Sequence, residues 1–344
     1  MPRNATAQRQ LGDRLQNYLA ERYPEASIAG FEFMTSGFES ELYAFNLLGI
    51  SSTPKPFVLR LFPGEGAFQK ITREARGLQL LHQAGYPSPE LFGYEGDPAY
   101  LDMPFMLIER LSGGPLWPIL AQADPEQAQH LLERFGHLQA QLHQLDWRPF
   151  TDQAALYETN PSLVLDERLA ALQQEYIQND AQEFLEILDW LENHKADMIV
   201  QPAVVHLDFH ANNAFLCQDN RMVIIDWTQI SVADFRLDLT WTLMIMSDYG
   251  QASWGEQILK AYCQASEQPV EHLDYFYVMT YLKLLSSTII SLKSGPDKLG
   301  MRPETLKSMK EQATSLRRLF ERIQDLTQLS FSGVENALRP FEEK

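Results

Sequence analysis

The spacing of hydrophobic and polar positions changes character near residue 111. Before this point, FEFMTSGFESELYAF is typical of two strands around a turn at Ser36 and Gly37, and PFVLRLF and MPFMLIERL are typical of two further strands. Helical spacing is confined to residues 11–23, which open the chain, and to the segment ITREARGLQLLHQAG. These patterns predict a β-rich region that contains one inserted helix and follows a leading helix.

Beyond residue 111 the chain becomes mainly helical. Gln, Glu, Leu and Ala recur at helical spacing in residues 125–145, 164–197, 252–265, 271–292 and 303–327. The exception lies between residues 203 and 227, where AFLC and MVIID predict two strands joined by the polar turn QDNR. We therefore predict an α+β chain with two lobes, a small antiparallel β lobe over residues 1–111 and a larger helical lobe over residues 112–344.

Composition narrows the classes of partner. The chain has 344 residues, of which 45% are hydrophobic and 22% charged, which suits two domains or one bilobed unit. Its 28 basic and 46 acidic residues leave a formal charge of −18, a balance that repels nucleic acid and anionic membranes. An acidic surface suits a cationic small molecule, although it also serves solubility alone. We expect no nucleic-acid or membrane partner.

The cysteines and the most apolar segment indicate where in the cell the protein is expected. Cys217 and Cys263 are too few for a disulfide framework or a four-cysteine zinc site. The first residues, MPRNATAQRQLGDRLQ, contain no apolar stretch of the kind a secretory signal needs. The most membrane-like segment, residues 275–292, contains Lys283, so a buried helix explains it better than a bilayer span. We expect a cytoplasmic protein.

Four residues in and before the predicted hairpin carry candidate chemistry. His206, Asp208 and Asn213 have the spacing H-x-D-x-x-x-x-N, and Asp226 closes the second strand. Phosphoryl transfer needs a carboxylate near the attacking hydroxyl, oxygen ligands for magnesium and a cation on the triphosphate, because positioning and charge neutralisation lower most of the barrier. In this interpretation Asp208 orients or deprotonates the hydroxyl, and Asn213 and Asp226 bind magnesium.

These motifs resemble those of the aminoglycoside phosphotransferase and choline kinase family, whose members have a protein-kinase-like fold and phosphorylate small molecules. HLDFHANNAF followed by VIIDW resembles the family's catalytic loop and metal-binding aspartate, and His210 completes its pattern H-x-D-x-H-x-x-N. FVLRLF followed by TREARGLQLL is similar to the family's third strand and glutamate-bearing helix, which implies that Arg60 and Glu74 position the nucleotide. RLDLTWTLM resembles its aspartate-leucine helix start, which implies that Asp238 braces the catalytic loop.

The resemblance extends over residues 33–246 and includes two departures. FMLIERLSG resembles the segment that links the lobes, which implies nucleotide contacts at Glu109 and Leu111, and FGHLQAQLHQLD resembles the helix after it. Arginine stands at position 60, where protein kinases have lysine, and it binds phosphate through a planar fork. The loop expected over the phosphates, TSGFESELY, has one glycine instead of three, so Ser36 and Gly37 are its candidate contacts.

Other interpretations of the same residues remain open. His206, Asp208 and His210 would share one face of a strand, which suits a metal-dependent hydrolase. A catalytically inactive, kinase-like nucleotide-binding protein is the other alternative. Arg60 and Glu74 could form an ordinary surface ion pair. Four aromatic residues are interpreted as core packing rather than as a cage for a quaternary amine. They are Trp227, Trp241, Tyr249 and Trp254.

The resemblance implies ATP or GTP and Mg²⁺ as cofactors and a small hydroxylated acceptor. The acceptor classes it leaves open are aminoglycosides, other hydroxylated antibiotics, amino alcohols such as choline, homoserine and sugar derivatives. The sequence does not choose between these acceptors, between ATP and GTP, or between oligomeric states.

Overall fold

The computed structural model describes residues 4–36, 40–51, 53–64, 66–267, 269–295 and 315–341. Packing divides the chain into two compact units. The first consists of Met1–Leu116 and Asn212–Ile230, and the second of Trp117–Ala211 and Ser231–Lys344. The predicted lobes, 1–111 and 112–344, divide the chain at a single position, whereas each packing unit combines two separate stretches of sequence. The bounds of the lobes stay a prediction.

The first unit is built on a five-stranded antiparallel sheet in the order β1-β2-β3-β5-β4. The helix α1 packs its apolar stripe, Leu11, Leu15 and Leu19, against sheet residues that include Tyr43 and Phe45. This burial of an amphipathic face stabilises both elements. The elements in chain order are α1 Ala5–Arg22, β1 Ser27–Ser36, β2 Glu41–Leu48, β3 Lys55–Leu61, α2 Ala67–Gln83, β4 Leu91–Glu95, α3 Pro98–Leu101 and β5 Phe105–Glu109.

A second, three-stranded sheet belongs to the same unit. It consists of β6 Gly113–Pro115, β8 Ala214–Cys217 and β9 Met222–Ile224 in the order β6-β8-β9. Gly113 has φ +148°, and a Cβ there would lie 2.1 Å from the carbonyl oxygen of Leu216, so only glycine allows this strand to pair. The predicted hairpin is present. Residues 113–115, whose two glycines and proline are typical of a break between elements, form a short strand on its edge.

The second unit is mainly helical. Its one described sheet pairs β7 Pro202–Val205 with β10 Ser231–Asp234, and α9 Phe235–Ile245 follows β10 directly. A turn of π-helix, Met246–Gly250, continues α9. Its other described helices of seven residues or more are α4 Leu116–Gln122, α5 Pro125–His143, α7 Leu163–Gln178, α8 Leu185–His194, α10 Ala252–Ser266, α11 Leu273–Ser294, α12 Leu316–Thr327 and α13 Ser332–Leu338; the short α6 is Ala154–Thr159.

Three predicted elements need correction. The opening helix begins at Ala5 rather than residue 11, because the Asn4 side chain accepts a hydrogen bond from the Ala7 amide and caps it. The stretch 164–197 is two helices, since Asp180 adopts φ +52° between them. The second hairpin strand ends at Ile224, before Asp226. Of the predicted helix 303–327, residues 303–314 lie outside the described part.

Lys283 stands on α11 among apolar residues, as the sequence predicts for a buried helix. Among the described helices, none combines the length and the apolar character that a membrane crossing requires. The lysine side chain is half-buried. Burial, together with the nearby Arg168 guanidinium, lowers the pKa of Lys283 from 10.5 to about 8. The charged form of the Lys283 side chain is therefore less favourable in the folded protein than in the unfolded chain.

Replacing Lys283 by Met is expected to stabilise the protein at pH 7 by roughly 1–3 kcal/mol, allowing for the partial exposure of the side chain. The folded protein releases this proton near pH 8 and the unfolded chain near 10.5, so the stabilisation should fade as the pH rises between these values. Urea denaturation at pH 7 and pH 10 measures it, with Lys260→Met, at an exposed position of α10, as the control. An equal gain at both pH values would contradict the assignment.

Candidate active site

Arg60 forms the centre of a buried polar network in the first unit. Its guanidinium donates to Glu74 Oε1 at 2.6 Å, to Asp226 Oδ1 at 2.7 Å and to Ser40 Oγ at 3.0 Å. Arg60 is 7% exposed and Glu74 is 2% exposed. The interpretation of Arg60 and Glu74 as a surface ion pair is therefore wrong. Ser40 was not among the residues singled out from the sequence.

The fold brings Arg60, Glu74 and Asp226 together from three separate segments. Arg60 lies on the central strand β3, opposite Leu42 on β2 and Met106 on β5. Glu74 lies on α2, and Gly77 follows it by almost one turn. A Cβ at Gly77 would lie 2.7 Å from Ile230 Cγ2, so this glycine lets α2 approach the segment that carries Asp226.

Asp226 lies just beyond β9 in an uncommon backbone conformation. Its φ is +66°, in the left-handed region that residues other than glycine seldom adopt. Oδ1 accepts a hydrogen bond from Arg60 and, at 3.3 Å, one from Thr228 Oγ1. The side chain remains 42% exposed. The carboxylate is thus fixed by its neighbours and still open to solvent.

Asn213 lies across the hairpin from Ile225, the residue before Asp226. The Ile225 amide donates to the Asn213 carbonyl oxygen at 2.8 Å, one position beyond the last β8–β9 pair, Ala214 with Ile224. A carboxylate and an amide oxygen suit a hard cation such as Mg²⁺, which takes few protein ligands when phosphates supply the rest. Among the described residues, no group of three or more His, Cys, Asp or Glu is arranged to hold a metal.

The remaining nucleotide candidates of this unit are only partly described. Ser36 ends β1, where its backbone pairs with Glu41, and Gly37 lies outside the described residues. Glu109 ends β5, and its carboxylate accepts from the Glu90 amide at 3.3 Å. Leu111 follows and is half-buried. Their nucleotide contacts stay predictions.

In the second unit, Asp238 braces the loop that follows β7. This fully buried carboxylate accepts hydrogen bonds from the amides of His206 at 3.2 Å and Leu207 at 2.6 Å. Leu207 has φ +62°, so these bonds hold the backbone in a strained conformation. The segment is a loop rather than a strand, which removes the premise of the hydrolase interpretation that His206, Asp208 and His210 share one strand face.

His143 also contacts Asp238, and sequence reasoning missed it. This α5 histidine places Nε2 at 3.1 Å from Asp238 Oδ2 and Nδ1 at 2.8 Å from the Tyr262 hydroxyl. Burial alone would raise the pKa of Asp238, but the hydrogen bonds from His143 and from the His206 amide hold it below its usual range. Because the carboxylate only accepts, Nε2 of His143 carries a proton. Its place in the helical motif FGHLQAQLHQLD was the available signal.

Three side chains surround Asp208. The Trp241 indole donates to Asp208 Oδ1 at 3.0 Å, and His210 Nε2 lies 3.3 Å from the same oxygen. His206 is fully buried, and its Nδ1 accepts from the Asp208 amide at 3.2 Å. His206 and His210 thus surround the backbone and carboxylate of Asp208. Trp241, interpreted from the sequence as core packing, is half-buried and makes a polar contact with the candidate base.

The other aromatic residues divide between core and surface. Trp227 and Trp254 are buried, and the Trp227 indole donates to the Ile224 carbonyl at 2.8 Å. Tyr249 is exposed. Core packing is therefore confirmed for Trp227 and Trp254.

Solved structures of phosphotransferases share this fold. A candidate aminoglycoside phosphotransferase from Ralstonia eutropha is 15% identical, with a TM-score of 0.67 over 92% of this chain and 98% of that one. A point mutant of aminoglycoside 2'-phosphotransferase-IIIa in complex with GDP is 14% identical, with a TM-score of 0.61 over 90% and 99%. Macrolide 2'-phosphotransferase from Brachybacterium faecium is 16% identical, with a TM-score of 0.58 over 88% and 97%. A comparison with proteins of curated function finds no match.

The fold is that of the protein-kinase-like phosphotransferases, with an antiparallel β part and a larger helical part, which confirms the predicted fold class. The chain belongs to the phosphotransferase enzyme family, whose model matches residues 30–281. The resemblance seen in the sequence is thereby confirmed. The protein is an enzyme that transfers phosphate to an alcohol group.

Proposed function

We propose that this enzyme transfers the γ-phosphate of ATP or GTP, in the presence of Mg²⁺, to a hydroxyl of a small, hydroxylated molecule. The observation that carries the proposal is the Arg60 network, in which a buried guanidinium joins Glu74 to the solvent-open carboxylate of Asp226. A fixed cation beside an exposed acidic ligand suits a magnesium-bound triphosphate. The related structures with GDP and with ADP support a nucleotide of this kind.

The reaction follows from the roles of these residues. Asp208 accepts the proton of the acceptor hydroxyl as its oxygen attacks the γ-phosphorus. The bond from that phosphorus to the β,γ-bridging oxygen breaks, and the nucleoside diphosphate leaves with the bond's electron pair. Asp226 and Asn213 would hold magnesium through their oxygen atoms, and the metal would supply neutralisation of the phosphate charge. Asp238 keeps the loop before Asp208 in its strained conformation.

The acceptor is a neutral or cationic molecule in this proposal, because a net charge of −18 disfavours polyanions. A thermal-shift screen tests it with four panels: aminoglycosides, macrolides, amino alcohols including choline and homoserine, and sugar derivatives. Each panel is run with Mg²⁺ and a non-hydrolysable ATP or GTP analogue, since an acceptor should raise Tm further by mass action. Hits are then tested for acceptor-dependent nucleotide consumption. Binding of Mg²⁺ and nucleotide without turnover for any hit would favour the catalytically inactive alternative.

Replacing Asp226 by Asn is expected to weaken nucleotide binding chiefly when Mg²⁺ is present, because the neutral amide is a poorer metal ligand. Calorimetric titration with the ATP analogue should show a loss of about 1.5–3 kcal/mol in Mg²⁺ and a much smaller change in EDTA. Asp219→Asn, an exposed aspartate in the turn of the same hairpin, is the matched control. An equal loss with and without Mg²⁺ would assign Asp226 a structural role instead.

A further inference from the structure

Trp241 occupies a special position on α9. It follows Asp238 by almost one helical turn, so the two side chains lie on the same side of the helix. Asp238 holds the backbone of the loop at His206 and Leu207, whereas Trp241 reaches the side chain of Asp208 in the same loop. One helix therefore fixes both the backbone before the candidate base and the carboxylate of the base itself.

The hydrogen bond from Trp241 is directional and has a defined polarity. The indole Nε1 only donates, and it lies 3.0 Å from Oδ1 of Asp208. An N–H donor aimed at a carboxylate oxygen limits rotation of the carboxylate plane. The indole ring packs, partly buried, against the apolar core of the second unit, and this packing holds the donor in place.

We propose that Trp241 is a positioning residue for the phosphoryl transfer: its indole N–H holds Oδ1 of Asp208 and so fixes the orientation in which this carboxylate receives the proton of the acceptor hydroxyl. His210 Nε2 lies 3.3 Å from the same Oδ1 and gives the carboxylate a second contact. The inference rests on the proposed role of Asp208 as the base. Packing alone does not account for the contact with Asp208, because an indole ring can pack in a core without a carboxylate beside it.

The kinetic test replaces Trp241 by Phe, which keeps a large aromatic ring and removes the N–H. A positioning role predicts a fall in kcat of about 10- to 100-fold, the order expected for a catalytic group that is no longer held in geometry, with KM for the acceptor and for the nucleotide unchanged. Trp190→Phe is the matched control, since Trp190 packs against the same core and belongs to α8. A rise in the acceptor KM with kcat unchanged would make Trp241 a substrate contact and overturn the proposal, as would unchanged kcat and KM.

A second measurement needs no turnover. The protein has six tryptophans, and Trp241→Phe identifies the indole N–H signal of Trp241 in a ¹⁵N–¹H correlation spectrum. Asp208→Ala should move this proton upfield by more than it moves the other five, because a hydrogen bond to a carboxylate draws the proton signal downfield. An unshifted Trp241 signal would show that the contact is absent in solution. If the signal moves but Asp208→Ala retains full turnover, the base assignment fails while the hydrogen bond stands.

Discussion

Replacing Asp208 by Asn should lower kcat for the acceptor by about 100- to 10,000-fold, the contribution typical of a general base. The amide is nearly isosteric and still accepts a hydrogen bond from Trp241, so the loop should keep its conformation. It cannot take a proton from the hydroxyl at neutral pH. Affinity for the Mg²⁺–nucleotide should stay within about twofold, because the nucleotide-binding residues are others.

Two assays test this prediction. A coupled assay of nucleoside diphosphate release gives kcat and KM, and calorimetry with a non-hydrolysable analogue gives the nucleotide Kd. Asp189→Asn, which changes an exposed carboxylate on α8, controls for loss of charge in the same unit. Turnover by Asp208→Asn at the wild-type rate would mean that another group accepts the proton.

Glu74→Gln should destabilise the protein by about 3 kcal/mol, because the buried Arg60 guanidinium loses the charge of its most buried carboxylate partner. The Arg60 guanidinium would keep Asp226 and Ser40 as partners, but a neutral amide oxygen would replace the carboxylate that makes its shortest contact, 2.6 Å to Glu74. Urea denaturation measures the free energy of unfolding. Glu90→Gln, at an exposed position of the same unit, should change it by less than about 0.5 kcal/mol.

A double variant separates stability from function in this network. Arg60→Met with Glu74→Leu replaces the buried pair by apolar side chains, which often restores or raises stability. We expect it to recover most of the unfolding free energy lost in Glu74→Gln and still to bind Mg²⁺–nucleotide at least 10-fold more weakly than wild type, roughly the loss of one charge-assisted contact to phosphate. Wild-type nucleotide affinity in a folded double variant would show that the network serves the fold alone.

Local patterns predicted most elements because short-range periodicity reports which face of an element is buried. They failed where tertiary packing overrides a local signal. Residues 113–115 contain two glycines and a proline and predict a break, yet pairing with β8 makes them a strand. The strands β7 and β10 are only four residues each, and residues 206–230 separate them, so neither could be recognised from its own sequence.

The candidate residues show the same division. Spacing within one loop identified His206, Asp208 and Asn213, because the motif is contiguous. Ser40, His143 and Trp241 were not identified in this way, since a hydroxyl, a helical histidine or an aromatic is usually a packing or surface residue. Their roles arise from contacts with residues distant in sequence, such as Trp241 with Asp208 and His143 with Asp238.

The sequence by itself determined the family, the α+β class and the residue types available for phosphoryl transfer, because these depend on periodicity and on contiguous motifs. Only the tertiary structure decided that Arg60 is buried against both Glu74 and Asp226, and that Asp238 holds Leu207 in a left-handed conformation. Burial and hydrogen-bond geometry depend on segments that meet after folding. A sequence pattern therefore identifies the charged residues but does not determine which opposite charge each of them contacts.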